Sequence, residues 1–264
     1  MKLGVVTVTY NSGSVLEEFL RCCEIQDFQD YVLVVVDNNS QDDSMKIARS
    51  YEGKLNLKVF AESENLGVAE GNNIGIAYGL DQSCELILIL NNDVVFDSSF
   101  FGDLVGEIEK NQRASVLVPK VNYFSPSNMT WYGGGHFVFY FGPVAWHIND
   151  GKLDEDLPHQ EPFFVSYAPT CAMLVRSEVF GRIGMMDKKY FVYWDDGDFC
   201  YRLMRANEKI LYDPALMLLH KVSSLTGGGK SSFSIKMYCR NQVYFVRKHF
   251  GFIRRWYYYC TILP

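Results

Sequence analysis

Aliphatic runs and polar clusters alternate through the first half of the chain. Val32 to Val36 and Leu86 to Leu90 are unbroken apolar stretches, and each is followed at once by amides and acids. Short runs of this kind, rich in β-branched and aliphatic residues and bounded by turn formers, are the pattern of strands buried on both faces. Strands are expected over residues 3–10, 31–36, 57–61, 85–90 and 115–121. Helical periodicity falls between them, over residues 15–25, 42–51 and 68–78, with one more helix after residue 97. Ser14 is the expected cap of the first helix, and Asp42 and Asp43 suit the positive end of the second. Strand–helix alternation implies an α/β architecture, a mostly parallel, doubly wound sheet with right-handed crossovers.

The beat fails after residue 121. Residues 122–165 hold aromatics, acids and the run Gly133-Gly134-Gly135, which suggest short strands and loops. Such irregular segments, carried on a regular scaffold, commonly bear binding surfaces.

Polar clusters at strand ends carry the candidate chemistry. In open α/β sheets, ligands bind beyond the carboxyl ends of the strands. Thr9-Tyr10-Asn11 ends the first strand and Asp37-Asn38-Asn39-Ser40 ends the second. An aromatic, an amide and a carboxylate there suit a base and a ribose, although Asn and Asp also favour turns. Asn65-Leu66-Gly67 opens a helix that continues through Gly71-Asn72-Asn73; small residues allow close approach, and a helix start accepts phosphate charge. Asn91-Asn92-Asp93 leaves the fourth strand with one acid, and a hard cation there needs another protein ligand. His220, at the end of the run Leu216 to Leu219, is a candidate, equally readable as a hydrogen-bonded strand-end histidine. Its partnership with Asp93 does not follow from spacing.

Trp194-Asp195-Asp196-Gly197-Asp198 crowds three carboxylates before a helical stretch at residues 199–206. Crowding of this kind calls for cations or a helix N-terminus, and a carboxylate so placed can act as general base toward an alcohol. Gly227-Gly228-Gly229-Lys230-Ser231 lacks the leading glycine of a phosphate loop, since Ser224 stands there, and reads as a flexible lid.

Composition narrows the class. The chain has 264 residues, 48% hydrophobic and 21% charged, with net charge −6, as expected of a globular rather than a disordered chain. Eight Lys or Arg and no acid lie from Pro214 to Pro264, which leaves −14 on residues 1–213. An acidic body suits metal coordination and argues against nucleic acid as a partner. Seven cysteines without a C-x-x-C pair, and no recognisable leader, suggest reduced thiols and a cytoplasmic protein.

Taken in order, these motifs resemble the inverting family 2 glycosyltransferases with the GT-A fold, from Val5 to about Arg247. Val8-Thr9-Tyr10-Asn11, Val36 to Ser40 and Asn65-Leu66-Gly67 match its nucleotide-binding half, so Thr9, Tyr10, Asn11, Asp37, Asn38, Asn65, Gly67 and Asn72 are expected donor contacts, with Asn91, Asn92 and Asp93. Leu90-Asn91-Asn92-Asp93 is similar to the D-x-D position, departing from it at Asn91, which leaves Asp93 alone to hold the metal. In the late acidic motif the second acid is the base, here Asp196, with Trp194 and Asp195 toward the acceptor. His220-Lys221-Val222-Ser223-Ser224 and Arg240-Asn241 resemble a bacterial rhamnosyl- and galactofuranosyltransferase subgroup whose histidine binds the metal.

The resemblance implies Mg²⁺ or Mn²⁺, a uridine or deoxythymidine diphosphate sugar, and a saccharide or lipid-linked acceptor in cell-surface polysaccharide synthesis. It divides the chain into a catalytic domain at 1–232, with a nucleotide-binding half at 1–121 and an acceptor half at 122–232, and a basic aromatic helical tail at 233–264. Trp256-Tyr257-Tyr258-Tyr259 among basic residues suggests peripheral contact with the inner face of a membrane, the apolar stretches being short of the ~20 residues a span requires. Rival expectations are a sugar-phosphate nucleotidyltransferase, which lacks here its basic Gly-rich loop, and a carbohydrate-binding protein, which would not need Asp195 to Asp198.

Overall fold

The computed structural model describes residues 1–139, 144–158, 161–222 and 231–261. In chain order the elements are β1 (Leu3–Thr9), α1 (Leu16–Glu24), β2 (Tyr31–Asp37), α2 (Ser44–Arg49), β3 (Leu57–Ala61), α3 (Gly67–Asp81), β4 (Leu86–Leu90), β5 (Val94–Val95), α4 (Phe100–Lys110), β6 (Val116–Tyr123), β7 (Thr130–Tyr132), β8 (Gly135–Val138), β9 (Val144–His147), β10 (Phe163–Val165), β11 (Ala172–Arg176), α5 (Ser177–Ile183), α6 (Asp195–Arg205), β12 (Ile210–His220), α7 (Ser232–His249) and α8 (Phe252–Thr261).

One sheet organises them, in the order β10-β12-β6-β11-β4-β1-β2-β3, with β5 on β12 and β7 on β6. The β1, β2, β3 and β4 pairings are parallel, as the strand–helix alternation requires. β11 is antiparallel to both β4 and β6, so β6 and its parallel neighbour β12 regain the direction of β4. The aliphatic runs sit where the pattern places them: every residue of β2 and of β4 is buried. The helix α3 lies close on β1, because Gly71 and Gly75 present no side chain to Val8 and Val6; a Cβ at Gly75 would meet Val6 Cγ1 at 2.2 Å.

Three local expectations are corrected. Ser14 does not cap α1; the helix is entered through Ser12, whose carbonyl accepts from the Val15 and Leu16 amides. The second helix spans Ser44–Arg49 rather than 42–51; Asp42 and Asp43 stay at its N-terminal end, where Asp42 accepts from the Ser44 and Gly13 amides and ties the first turn to the second. The helix expected at 199–206 begins four residues earlier and takes all three acids into its first turn.

The tail is not an appendage. Phe245 and Val246 of α7, Phe250 and Tyr258 are buried with Tyr190, Trp194 and Tyr201 in a second apolar cluster. Ser231 caps α7 by accepting from the Ser234 amide at 3.1 Å. No described helix is long and apolar enough to cross a membrane, and all seven cysteines are unpaired. The Gly227–Lys230 loop lies outside the described residues.

Candidate active site

Because β1, β2, β4, β6 and β12 run in one direction, their carboxyl ends share one sheet edge. Thr9, Asp37, Asn91 to Asp93 and His220 all lie at that edge. This shared edge is where a doubly wound sheet offers exposed loop ends to a ligand.

Strand pairing creates the first corner. The short β5 runs antiparallel to the end of β12, with His220 opposite Val94, and the Lys221 amide donates to the Asp93 carbonyl at 2.9 Å. The side chains therefore converge: His220 Nε2 lies 3.2 Å from Asp93 Oδ1, and both residues are buried. His220 Nδ1 is buried without a hydrogen-bond partner. Burial lowers the basicity of the ring, but the neighbouring Cys171 and Asp93 outweigh it and hold the imidazole up at about 10. A buried carboxylate and imidazole so arranged will share a proton or a cation. Among the described residues no three His, Cys, Asp or Glu side chains cluster to hold an ion alone. A cation at Asp93 and His220 would thus need further oxygens, from neighbouring amides, backbone or a ligand.

The second corner is the first turn of α6. Tyr193 and Trp194, with φ of 65° and 70°, hold consecutive left-handed conformations just before it. Such conformations are costly for residues with side chains and persist only when fixed from outside. Asn241 of α7 provides that restraint: it is fully buried, and its amide donates to the Val192 and Tyr193 carbonyls, each at 2.8 Å. The next-door Arg240 donates to the Lys189 carbonyl at 2.7 Å. The Arg240-Asn241 pair therefore acts on the loop that presents the acids.

The three acids have three environments. Asp198 is fully buried and ion-paired, to Arg202 at 2.8 Å and to His249 and Lys248 at 2.7 Å each. Burial alone would raise its pKa, but these partners hold it below the usual carboxylate range. It is a structural link between α6 and α7 and is not available as a base. Asp195 is buried, with Oδ2 lacking a partner; burial first, then the charge of Asp196, pushes its carboxyl up to about 8. Asp196 is partly exposed, with Oδ1 accepting from the Gly197 amide at 2.6 Å and Oδ2 accepting from the Tyr167 hydroxyl at 2.7 Å. Burial raises its pKa too, opposed by those two donors. Of the three, Asp196 alone is both accessible and held for proton transfer.

An aromatic chain joins the corners. His220 meets the Trp131 ring edge-on at 4.7 Å, Trp131 meets His147 at 4.9 Å, and His147 stacks on Tyr167 at 5.8 Å. Trp131 and His147 come from the irregular segment and Tyr167 from just beyond it, where neither periodicity nor spacing marked them.

Among the expected donor contacts, Thr9 Oγ1, Asp37 Oδ1 and Asn38 Oδ1 are buried without partners. Asp37 Oδ2 accepts from the Ser40 amide at 2.9 Å, and Asn38 donates to the Gly67 carbonyl at 3.0 Å. Asn65 accepts from the Gly67 amide at 2.9 Å in a turn where Gly67 has φ +82°, and a Cβ there would strike the Phe191 carbonyl at 2.3 Å. Tyr10 is exposed, and Asn11 accepts from the Gln41 amide at 2.8 Å. Other amides serve the scaffold: Asn92 donates to the Val8 carbonyl at 2.9 Å, and Asn72 is buried against the Met186 sulfur at 3.7 Å. The Asn91 side chain stays partly exposed while the Asn91 backbone N–H donates to the Cys171 carbonyl at 2.9 Å. Trp194 packs on Phe245 at 5.1 Å with its indole nitrogen unpartnered. A separate cavity of about 260 Å³, lined by His136, Met204 and Lys209, lies at Ile210, the opposite end of β12 from His220.

Residues 4–184 match the family described as Glycosyl transferase family 2. The chain belongs to that family. It is 26% identical, over 96% of its length and 88% of the relative's, to the N-acetylglucosaminyl-diphospho-decaprenol L-rhamnosyltransferase of Mycobacterium tuberculosis. The structure of GalNAc-T7 with UDP, GalNAc and Mn²⁺ superposes with a TM-score of 0.73 at 18% identity, over 98% of this chain and 50% of that one. S. aureus TarS 1–349 gives 0.58 at 20% identity, over 81% of this chain and 61% of that one. The protein is therefore a glycosyltransferase with the GT-A fold, the enzyme class and architecture expected from its motifs.

Proposed function

We propose that the enzyme transfers a sugar, with inversion, from a uridine or deoxythymidine diphosphate sugar to a hydroxyl of a saccharide or lipid-linked saccharide. Asp196 takes the acceptor proton, the acceptor oxygen attacks the anomeric carbon, and the nucleoside diphosphate leaves from the opposite face. The observation that carries this reading is the aromatic chain linking Asp196 to the Asp93–His220 pair, because it joins a base and a cation site at one sheet edge. The chain's own contribution is to position the reactants, hold the base and stabilise charge.

Asp93 and His220 would hold the Mg²⁺ or Mn²⁺, which neutralises the departing diphosphate. Partnerless Thr9, Asp37 and Asn38 oxygens suit the ribose and base; Asn65 and Gly67 shape the backbone beside them, with Tyr10 and Asn11 at the rim. Asn91 borders the cation, whereas Asn72 and Asn92 support from behind. Trp194 and Asp195 shape the acceptor side of the base. The rhamnosyltransferase relative, which acts on a diphospho-decaprenol acceptor by its name, supports a lipid-linked acceptor and cell-surface glycan synthesis here.

The location that suits this acceptor is the cytoplasmic face of the membrane. Phe252, Ile253 and Trp256 of α8 are more than half exposed while Tyr258 on the same helix is buried, so α8 shows an apolar stripe outward. The tail cations contribute less than their number suggests: Lys248 pairs with Asp187 and Asp198, and Arg255 donates to the Phe250 carbonyl.

The deciding experiment incubates the enzyme with nucleotide sugars, Mn²⁺ and a lipid-linked acceptor, and identifies the leaving group and the product anomer. Released nucleoside diphosphate with an inverted linkage is expected. Pyrophosphate would point to a nucleotidyltransferase, and retention would exclude a single displacement.

A further inference from the structure

Tyr167 is a tightly held side chain at the acidic corner, and no motif announces it. It follows β10, is buried, and is held at several points. Its amide donates to the Gly135 carbonyl at 3.1 Å, and its own carbonyl accepts from the Tyr132 hydroxyl at 2.8 Å. Its ring lies between His147, stacked at 5.8 Å, and Phe137, edge-on at 5.6 Å. Gly135 makes room for it, since a Cβ there would approach the Tyr167 ring and carbonyl to 2.9 Å each. His147 is fixed in turn, with Nδ1 3.0 Å from the Trp131 carbonyl. Burial lowers its pKa, so the ring is neutral and Nδ1–H is the donor.

All this restraint converges on one hydroxyl, which donates to Asp196 Oδ2 at 2.7 Å. We infer that Tyr167 is the positioning residue of the base: it fixes the plane of the Asp196 carboxylate and keeps that carboxylate ionised at neutral pH. The inference rests on the assignment of Asp196 as base. With Oδ2 held by Tyr167 and Oδ1 by the Gly197 amide, the carboxylate has two anchors and little freedom to rotate. Positioning of this kind is what makes a general base effective.

The electrostatic half follows from the groups that face Asp196. Burial opposes its ionisation; on the same turn, Asp195 is held protonated and Asp198 is ion-paired to Arg202, Lys248 and His249. The Cys200 thiol of α6 and the Tyr238 hydroxyl of α7 are near it and neutral, their pKa values raised by burial. On the favourable side, the Tyr167 hydroxyl and the Gly197 amide donate to it directly, while neutral His147 stacks on the Tyr167 ring. Tyr167 itself has its pKa raised well above the ordinary value by burial and by Asp196, so it stays a donor throughout the working range. Removing a donor to the ionised form raises the pKa of an acid.

The test is the pH profile of kcat at saturating donor and acceptor for Tyr167→Phe. A base must be ionised to act, so its pKa sets the acidic limb. The limb is expected to move up by about one to two pH units, the worth of a hydrogen bond to a charged group. Turnover should fall about tenfold at the parent's midpoint and recover toward the parent at high pH, while donor KM stays unchanged. Gly135→Ala, which crowds Tyr167 without removing its hydroxyl, should move the limb the same way. An unmoved limb in both variants, whether turnover is uniformly reduced or unchanged, overturns the role of Tyr167. Asp196→Asn separates this from the underlying assignment. Parent-like turnover in Asp196→Asn overturns the base itself, whereas a large loss there with unmoved limbs overturns Tyr167 alone.

Discussion

His220 Nε2 lies 3.2 Å from Asp93 Oδ1 because two residues of β5 pair with the end of β12. The contact is built by backbone register: His220 stands opposite Val94, and the Lys221 amide donates to the Asp93 carbonyl. Both side chains are buried, so a cation that binds them must displace the His220 proton. Cation binding is therefore expected to need the donor diphosphate as well.

Manganese should raise the melting temperature of the enzyme strongly only when the nucleoside diphosphate is present. A ligand at 100 times its dissociation constant stabilises by about 2.7 kcal/mol. His220→Ala and Asp93→Asn should each abolish the Mn²⁺-dependent part of that shift, and chelator should abolish transfer. Full transfer in excess chelator would show that the pair does not hold a metal.

Asp196→Asn keeps the shape of the side chain and removes the proton acceptor. Turnover should fall roughly 10²- to 10⁴-fold, the usual worth of a positioned base. Donor affinity, measured by the diphosphate-dependent melting shift, should stay near that of the parent. Asp198→Asn should act differently: it breaks the ion pairs to Arg202, Lys248 and His249, so its main effect should be a lower melting temperature.

Asp195 makes stability depend on pH. Its carboxyl stays protonated in the folded protein up to about pH 8, whereas in the unfolded chain it ionises near 3.8. The folded state then binds the extra proton between those values, so this contribution to stability declines as pH rises through that window. Melting curves of the parent should therefore fall relative to Asp195→Asn between pH 5 and about 9. Parallel pH dependence in the two proteins would show that Asp195 is ionised when folded.

Asn241→Ala removes both donors from the Val192 and Tyr193 carbonyls and frees two left-handed residues. Each buried acceptor left unpaired costs about 1–3 kcal/mol. A lower melting temperature is expected, together with a fall in turnover larger than any change in donor KM, because the loop leads directly into Asp196, the proposed base. Unchanged turnover would mean that the loop keeps its geometry without Asn241.

The α8 stripe should bind vesicles. Co-sedimentation with anionic liposomes at low salt is expected for the parent and lost in a Phe252→Ser, Trp256→Ser double variant, whose buried Tyr258 anchor is untouched. Absence of pelleting with both anionic and neutral vesicles would leave α8 without a membrane role.

Local pattern was enough for much of this protein. The runs Val32 to Val36 and Leu86 to Leu90 could only be buried strands, so the parallel core and the polar residues at its carboxyl edge were legible from spacing and composition. Asp37, Asp93, Asp196 and His220 stood out because each is an acid or a histidine beside an apolar run or a helix start. Tertiary structure decided what these residues do. Asp195, Asp196 and Asp198 look alike in sequence, but two of the ion pairs of Asp198 come from α7, and Tyr167, which holds Asp196, comes from the stretch that follows β10. The basic tail read as a charged surface, yet Lys248 and Arg255 are spent on internal partners that only folding brings within reach. Hydrophobic periodicity reports which face of an element is buried, a property of neighbours along the chain. The pKa of a carboxylate and the partner of a histidine depend on groups a few ångströms away in space, and only the folded chain sets those distances.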